Sequence, residues 1–363
     1  MAHNVPMQGG GFYSANSGLQ YEAMKKALPL IKRAIIQTSA KNLSLISDGF
    51  TIVEYGCSDG NNSLEPFVAI MESLESHAYA NLIFNDRPEN DFSVVAGHIT
   101  KLQQLLMSKS GADVFLSMVP ASFYSSVVKP SSAHFGFSLY CLQHLDRAAA
   151  PPQQSHGEFL SDALKQIPFK EQADIDLRNF LTLRATEILP GGSLVLTFTG
   201  QAQSGEPNVV GIVSSLRDAT AEMVQEGKVS RDAASSFHIP VYSRTAEATK
   251  SVLADMGSSW IVREHFDEWV THPATEEMAL RRSRRSLKEE DYVWYAGVAV
   301  DWGMAISAGH FQKALQGDGL DQNKVNTIMA EWEEKTKVCF LKSFKEQALR
   351  CTTTYLRLER VQL

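Results

Sequence analysis

The stretch IVEYGCSDG, residues 52–60, places a carboxylate inside a segment that otherwise has the pattern of a buried strand. Its apolar residues predict a strand over Phe50–Tyr55, and the glycines of residues 56–60 predict a turn that leads into a helix from about Ser63. Glu54 lies two residues before the first glycine. Because an unpaired carboxylate is costly to bury, this position indicates a ligand or a partner near the end of the strand.

The chain beyond this turn alternates between strand and helix patterns. A second strand is predicted over residues 81–86 and a third over Asp113–Pro120, each preceded by a segment with apolar residues at helical spacing. This alternation is typical of a parallel α/β sheet with right-handed crossovers. The sequence PGG at residues 190–192 precedes another apolar strand, and residues 352–361 predict an edge strand. Pro29 predicts a break or a kink in the first long helix.

From about residue 201 the pattern becomes mainly helical before strand-like segments return. We therefore predict an α/β fold, a doubly wound, Rossmann-like sheet with a helical cap inserted in the later part of the chain. The core is expected at residues 1–200 and 290–363, with part of the cap near residues 141–170, and the mainly helical cap is expected at residues 201–289.

The composition narrows the class of protein. A net charge of −7 and a pI of about 5.8 give no electrostatic attraction for nucleic acid or for an anionic membrane. The four cysteines are scattered without metal-ligand spacing, which argues against zinc and against a disulfide framework. No apolar run reaches the roughly 18 residues needed to cross a bilayer. We expect a cytoplasmic protein that binds a small molecule, with no nucleic acid or membrane partner.

Acidic residues at the ends of two successive strands suit a cationic ligand. Ligands of open α/β sheets bind beyond the carboxyl ends of the strands, where Gly56 lets a cofactor approach the backbone closely. Gly56 and Gly60 lack the middle glycine that gives dinucleotide-binding turns room for a pyrophosphate. Asp86 ends the second strand, where a carboxylate can accept hydrogen bonds from both hydroxyls of a ribose. The pattern favours S-adenosylmethionine over a nicotinamide cofactor; the alternative is that Glu54 and Asp86 are capping residues of an ordinary α/β protein.

In addition to this pattern, six segments of the chain resemble the motifs of a known family. In order between residue 7 and about residue 250 they are MQGGGFYSANSGLQ, EYGCSDGNNS, FNDRPENDF, VPASFYSSVV, HFGFSLYCLQHL, and EMVQEG followed by SSFHIPVYSRTAEA. They resemble motifs of the SABATH methyltransferases, such as D-L-G-C-S-S-G-x-N-T, L-N-D-L-P-x-N-D-F and V-P-G-S-F-Y. This family contains the plant salicylic acid, benzoic acid, jasmonic acid and theobromine methyltransferases and has fungal and bacterial relatives.

The resemblance implies methyl transfer from S-adenosylmethionine to a small-molecule carboxylic acid or, in the xanthine branch, to a ring nitrogen, commonly by a homodimer. It also implies roles for residues at matching positions. Cofactor contacts are implied for Ser17, Asn62, Asp86, Arg87, Ser122 and Phe123, with Glu54, Gly56 and Cys57 in the same turn. Gln20 and Tyr140 are implied on the substrate side, and Tyr13 near both ligands.

The chain departs from the family pattern around the substrate. His144, preceded by Gln143, stands where the family usually has a tryptophan beside the substrate carboxylate. Ile212 and Val213 stand where an Ile-Trp pair often forms a pocket wall, so we expect a pocket that is not a flat slot for a small benzoate. At the proposed metal site of some members, D-x-F-N becomes SSFH at residues 235–238. We therefore expect no metal.

A carboxylate acceptor needs no catalytic base, because its pKa of about 4 leaves it ionised at neutral pH. Catalysis would come from positioning by Gln20, Tyr140 and His144 and from the exclusion of water. Two alternatives stay open. One is a phenol or ring-nitrogen acceptor with His144 as the base, and the other is a non-catalytic S-adenosylmethionine-binding protein.

Overall fold

The computed structural model describes residues 5, 11–41, 49–74, 79–110, 113–147 and 167–362. Much of the predicted cap portion near residues 141–170 lies outside the described residues. The described strands are β1 (Phe50–Tyr55), β2 (Tyr79–Asp86), β3 (Asp113–Pro120), β4 (Ala133–Leu139), β5 (Ile188–Thr199), β6 (Trp260–Thr271) and β7 (Arg350–Arg360). The described helices are α1 (Phe12–Asn16), α2 (Gly18–Lys41), α3 (Leu64–Ser73), α4 (Phe92–Ser110), α5 (Ile167–Glu187), α6 (Val210–Gln225), α7 (Arg231–Ser236), α8 (Ala246–Asp255), α9 (Pro273–Arg284), α10 (Glu289–Gly317) and α11 (Gln322–Ser343).

The strands form one mixed sheet in the order β3-β2-β1-β4-β5-β7-β6. Strands β1 to β5 are parallel, and β7 pairs antiparallel with both β5 and β6. The chain builds outward from β1 to β3 and then returns to β4 on the other side of β1. The order of the strands therefore reverses between β1 and β4, which is where open α/β sheets bind their ligands. The predicted doubly wound sheet is confirmed.

Strand β1 is buried on both faces, as a central parallel strand requires. Phe50 and Ile52 face the core formed with α2, α3 and α4, whereas Val53 and Tyr55 face the core formed with α5 and α8. Glu54 is on the same face as Phe50 and Ile52 by alternation and is buried as well. The carboxylate noted in the sequence is therefore inside the protein.

Three features of the fold differ from the sequence expectations. Strand β4 was not predicted, because His134, Gly136 and Ser138 interrupt the apolar run that a strand buried on both faces usually has. Strand β7 is not an edge strand, since β6 pairs along its outer side; the edges are β3 and β6. Helix α2 continues through Pro29 without ending there.

A helical layer lies over the carboxyl ends of the parallel strands, formed by α6, α7, α10 and α11. The ring of Trp332 packs against that of Phe311 with 4.3 Å between centroids, and its indole N–H donates to the Thr220 hydroxyl at 2.9 Å. Strand β6 comes from the range expected to be cap yet belongs to the sheet, and α10 comes from the range expected to be core yet packs on α6. We propose that these four helices are the cap.

Candidate functional site

The glycine turn after β1 is tied to the neighbouring strand. The backbone N–H groups of Gly56 and Cys57 both donate to the carbonyl of Asn85, at 2.9 and 3.0 Å. Gly56 has φ of +91°, which favours glycine. A Cβ at Gly56 would also lie 2.6 Å from Sγ of Cys141, so no other residue fits without a shift. The backbone conformation and the contact with Cys141 thus both require glycine at the end of β1.

Asp86 stands beside this turn, at the end of β2, and lines the pocket. Its Oδ2 accepts a hydrogen bond from the backbone N–H of Ser58 at 2.5 Å, and its Oδ1 accepts one from the N–H of Arg87 at 2.7 Å. Burial raises the pKa of Asp86 to about 6, against these hydrogen bonds and the charge of Arg87, which lower it. Each carboxylate oxygen can accept a further hydrogen bond, so the orientation needed to bind two hydroxyls is already fixed.

Glu54 lies behind the turn rather than in the lining of the pocket. Glu54 is 5% exposed, and among the described residues its Oε2 has no hydrogen-bond partner. Burial raises the pKa of Glu54 to about 8, with a contribution from the charge of Asp86 and an opposing one from Ser63. The group is therefore mainly protonated at neutral pH, and a nearby cation would favour its ionised form.

The loop after β3 is held by a buried ion pair on α5. Arg184 is fully buried, and its guanidinium pairs with Glu187 at 3.0 Å while donating to the carbonyls of Phe123 and Ser125 at 2.8 and 2.9 Å. Glu187 in turn accepts from the N–H of Val127 at 2.6 Å. Phe123 is buried and lines the pocket. The ion pair therefore fixes the position of Phe123 in the wall of the pocket.

A second group of polar side chains in the pocket lining comes from helices α1, α2 and α10. Gln20, in the first turn of α2, is 6% exposed, and its Oε1 accepts a hydrogen bond from the indole N–H of Trp302 at 2.9 Å. Burial raises the pKa of the Tyr13 hydroxyl, which a hydrogen bond from Gln20 partly offsets. All three side chains line the pocket. They join the start of the chain to the middle of α10.

Tyr140 follows β4 in a left-handed backbone conformation, with φ of +62°. Such strain costs on the order of 1–3 kcal/mol and persists only where the surroundings enforce it. Here the N–H of Tyr140 donates to the carbonyl of Thr197 at 2.8 Å, and the carbonyl of Tyr140 accepts from Nε2 of Gln143 at 2.6 Å. The strained backbone turns the chain so that Tyr140, Gln143 and His144 all line the pocket.

His144 is neutral in this pocket. Burial lowers its pKa to about 3, and the charges of Arg87 and His310 act in the same direction. A neutral imidazole can donate or accept a hydrogen bond, but a base of such low pKa gains little from taking the proton of a phenol, whose pKa is about 10.

The whole pocket has a volume of about 260 Å³. The rest of its wall is mainly aliphatic. Helix α6 contributes Ile212, which is buried, and Val213, which is 55% exposed. Ile306 of α10 also contributes, with Ile239, Pro240 and Val241 from the loop before α8. Among the described lining residues, Arg87 is the one lysine or arginine, and it lies at the cofactor end. Away from Arg87, the described lining is therefore mostly apolar, with neutral polar side chains and no lysine or arginine.

The predicted site residues fall into two sets. The pocket is lined by Tyr13, Gln20, Gly56, Asp86, Arg87, Phe123, Tyr140, Gln143, His144, Ile212 and Val213. Behind the lining lie Ser17, Glu54, Cys57, Asn62 and Ser122, with Nδ2 of Asn62 donating to the Ser17 hydroxyl at 3.2 Å. The ligand contacts of both sets stay predictions.

Sequence reasoning missed Trp302, Gly303 and Ile306 of α10, and it missed Arg184. A tryptophan beside a glycine in a helix gives no signal of facing a pocket, since either residue is common in a buried helix. Arg184 and Glu187 carried a usable signal, because two opposite charges three residues apart lie on the apolar face of α5.

The described residues bring together no cluster of three or more His, Cys, Asp or Glu side chains able to hold a metal ion. None of the described helices combines the length and the apolar character needed to cross a bilayer.

Comparison with known proteins identifies the family. The family model for SAM-dependent carboxyl methyltransferases matches residues 3–293. The methyltransferase FUS9 of Gibberella fujikuroi is 40% identical over 363 residues, covering 99% of this chain and 98% of its own. The O-methyltransferase acrG of Aspergillus aculeatus is 40% identical over 372 residues, with the same shares.

A solved structure shows the same fold. Loganic acid methyltransferase with SAH superposes with a TM-score of 0.74 at 22% identity, covering 98% of this chain and 99% of that one. The Gly56 turn, kept free of side chain, and the preset Asp86 carboxylate fit the cofactor of this family. The chain belongs to the SAM-dependent carboxyl methyltransferase family, the SABATH family that its motifs resemble, and is an S-adenosylmethionine-dependent methyltransferase.

Proposed function

We propose that this enzyme methylates a carboxylate oxygen of a small-molecule acid and releases the methyl ester. The observation that carries the proposal is the chemistry of the acceptor end, where the Gln20 amide is a neutral donor and His144 is neutral with a pKa lowered to about 3. An ionised carboxylate needs donors and no base, whereas a phenol needs a base. The residues present suit the carboxylate.

Each part of the pocket has a role in this proposal. When bound, S-adenosylmethionine supplies an electrophilic methyl group. Asp86 accepts hydrogen bonds from the ribose hydroxyls, and Phe123 covers the adenine. The amide of Gln20 donates to the acceptor carboxylate, while the aliphatic walls exclude water. Positioning of this kind is worth roughly 7–11 kcal/mol of the barrier at best.

The walls also restrict the acceptor. A second carboxylate on the substrate would find no lysine or arginine among the described residues of the acceptor end, so its desolvation would be uncompensated. Aliphatic side chains of α6 and α10 instead favour an apolar body. We therefore infer a monocarboxylic acid whose remainder is apolar and is not confined to a flat aromatic slot.

The test uses purified protein, cofactor labelled in its methyl group, and matched pairs of mono- and dicarboxylic acids with phenols of similar shape. Methyl esters release their label in mild alkali, whereas methyl ethers and N-methyl groups do not. We expect alkali-labile label, greatest with apolar monocarboxylic acids. Alkali-stable label would contradict the proposal. Cofactor binding without transfer to any compound would favour a non-catalytic binding protein.

The family resemblance implies a homodimer, and we also expect a cytoplasmic location and independence of metal. We keep these as proposals. Light scattering, which measures the molar mass, tests the homodimer. Turnover after dialysis against a chelator tests the independence of metal.

A further inference from the structure

We propose that Trp302 is a positioning residue of the acceptor site, whose indole N–H holds the Gln20 carboxamide with its NH₂ group toward the substrate carboxylate. The inference rests on the proposed carboxylate acceptor. Gln20 and Trp302 are 282 residues apart in the chain, both are 6% exposed, and both line the pocket. Nε1 of Trp302 lies 2.9 Å from Oε1 of Gln20.

The direction of the amide follows from the chemistry of its partner. An indole nitrogen can only donate a hydrogen bond, whereas a glutamine amide has one accepting and one donating end. The oxygen of Gln20 must therefore face Trp302, because the reverse orientation would bring two N–H groups together. The NH₂ group then points away from the indole, and its two hydrogens are available to the neighbouring Tyr13 hydroxyl and to a ligand.

Without the indole N–H, the two orientations of the amide become similar in energy. A glutamine amide has nearly the same shape in both. In the flipped orientation its oxygen would face the substrate carboxylate, and two partial negative charges would repel each other. The fraction of protein able to bind the acceptor would fall, and the apparent affinity would fall by the same factor. Turnover of the acceptor once bound would be almost unchanged.

Two variants separate the N–H group from the bulk of the indole. Trp302→Phe keeps an apolar ring and loses the donor. Trp302→His loses the six-membered ring of the indole but keeps a nitrogen at the same position of the five-membered ring. In the neutral Nε2–H tautomer, this nitrogen can still donate to Gln20. For a carboxylic acid that the wild-type enzyme methylates, we expect Trp302→Phe to raise KM at least about twofold, because two orientations of similar energy halve the competent fraction, with kcat almost unchanged. Trp302→His should have a KM closer to that of the wild type.

A double-mutant cycle tests whether Trp302 acts through Gln20. In a Gln20→Ala background, Trp302→Phe should change KM no further, because there is no amide to orient. The dissociation constant of S-adenosylhomocysteine serves as the control and should be unchanged in every variant. As a measurement that needs no acceptor, the indole ¹⁵N–¹H resonance of Trp302 should shift and exchange faster with solvent in Gln20→Ala.

Three results would overturn this inference and leave the proposed function standing. They are a wild-type KM in Trp302→Phe, a larger KM in Trp302→His than in Trp302→Phe, and additive effects of the Gln20 and Trp302 substitutions. If Trp302→Phe does not fold, the indole ¹⁵N–¹H resonance of Trp302 decides. A resonance that does not change in Gln20→Ala would also overturn the inference. A wild-type enzyme that methylates only phenols or nitrogens would instead overturn the proposed function and this inference together.

Discussion

The two ends of the pocket are built in different ways. The cofactor end comes from chain segments that follow successive strands, with Gly56 after β1 and Asp86 ending β2, and backbone hydrogen bonds fix its groups. The acceptor end comes from α2, α6, α10 and the loop after β4, and side chains contact one another across it, as Trp302 fixes Gln20. A backbone-built site tolerates little change, whereas a site built from side chains can be altered one residue at a time.

This contrast explains which substitutions should damage the enzyme and which should only alter its substrate. Changes at the cofactor end should abolish all activity whatever the acceptor. Changes at the acceptor end should leave cofactor affinity unchanged and alter the choice of acid. The predictions that follow test this division.

The largest effect is expected for Asp86→Ala. The substitution removes two hydrogen bonds to an ionised group, each worth about 1.5–3 kcal/mol, so the affinity for S-adenosylhomocysteine should fall at least about 100-fold. Calorimetric titration measures it. Asp113→Ala, at an exposed position at the start of β3, is the matched control and should bind normally. Undiminished affinity in Asp86→Ala would break the assignment of the cofactor end.

Arg184→Met should destabilise the folded protein by about 3–5 kcal/mol, because it leaves the Glu187 carboxylate buried without its partner. Urea denaturation measures the free energy of unfolding. Arg178→Met on the same helix is the control, since its pair with Asp255 at 2.8 Å is largely exposed and should contribute about 0–1 kcal/mol. Equal losses in the two variants would mean that burial of the pair does not matter.

Gly303→Ala should alter substrate choice without affecting the cofactor. A Cβ at Gly303 would lie 2.6 Å from Cγ1 of Ile212, so the isoleucine must move. We expect kcat/KM for a bulky acid to fall about tenfold, with restoration in Gly303→Ala/Ile212→Ala, which removes the clashing Cγ1 atom. Gly297→Ala is the control, because a Cβ there meets nothing within 4 Å. Weaker binding of S-adenosylhomocysteine in Gly303→Ala would contradict the independence of the two ends.

The smallest effect is expected for pH. A His144 pKa lowered to about 3 keeps the imidazole neutral between pH 6 and 8. Asp86 and Glu54, with pKa values of about 6 and about 8, titrate in this range at the cofactor end. Saturating cofactor removes their effect on its affinity, so kcat at saturating acid and cofactor should change less than about twofold. His144→Gln should have the same flat profile. A rise of kcat through pH 6–7 that disappears in His144→Gln would show that His144 acts as a base, and would favour the phenol acceptor.

The difference between the two ends of the pocket also explains how much of the fold and of the site could be predicted from the sequence. The turn, Asp86 and the strands β1 to β3 could be predicted because each depends on residues close together in the chain. Strand β4 could not, because His134, Gly136 and Ser138 interrupt the continuous apolar run by which a strand buried on both faces, such as β1, is recognised. The partner of Gln20 could not be predicted either, because Trp302 reaches it only through the packing of α10. The internal place of β7 depends on β6, which pairs with it from a distant part of the chain.

The position of β7 has a consequence for synthesis of the protein. Strand β6 lies at the edge of the sheet and has β7 as its partner, so it cannot join the sheet until residues 350–360 have left the ribosome. Strands β1 to β4, which carry the cofactor end, are complete some 200 residues earlier. Since chains emerge at about 5–20 residues per second, the half of the pocket that binds the cofactor can form roughly ten seconds or more before the sheet is finished. The nascent chain would then have a place for the cofactor before it has one for the acid.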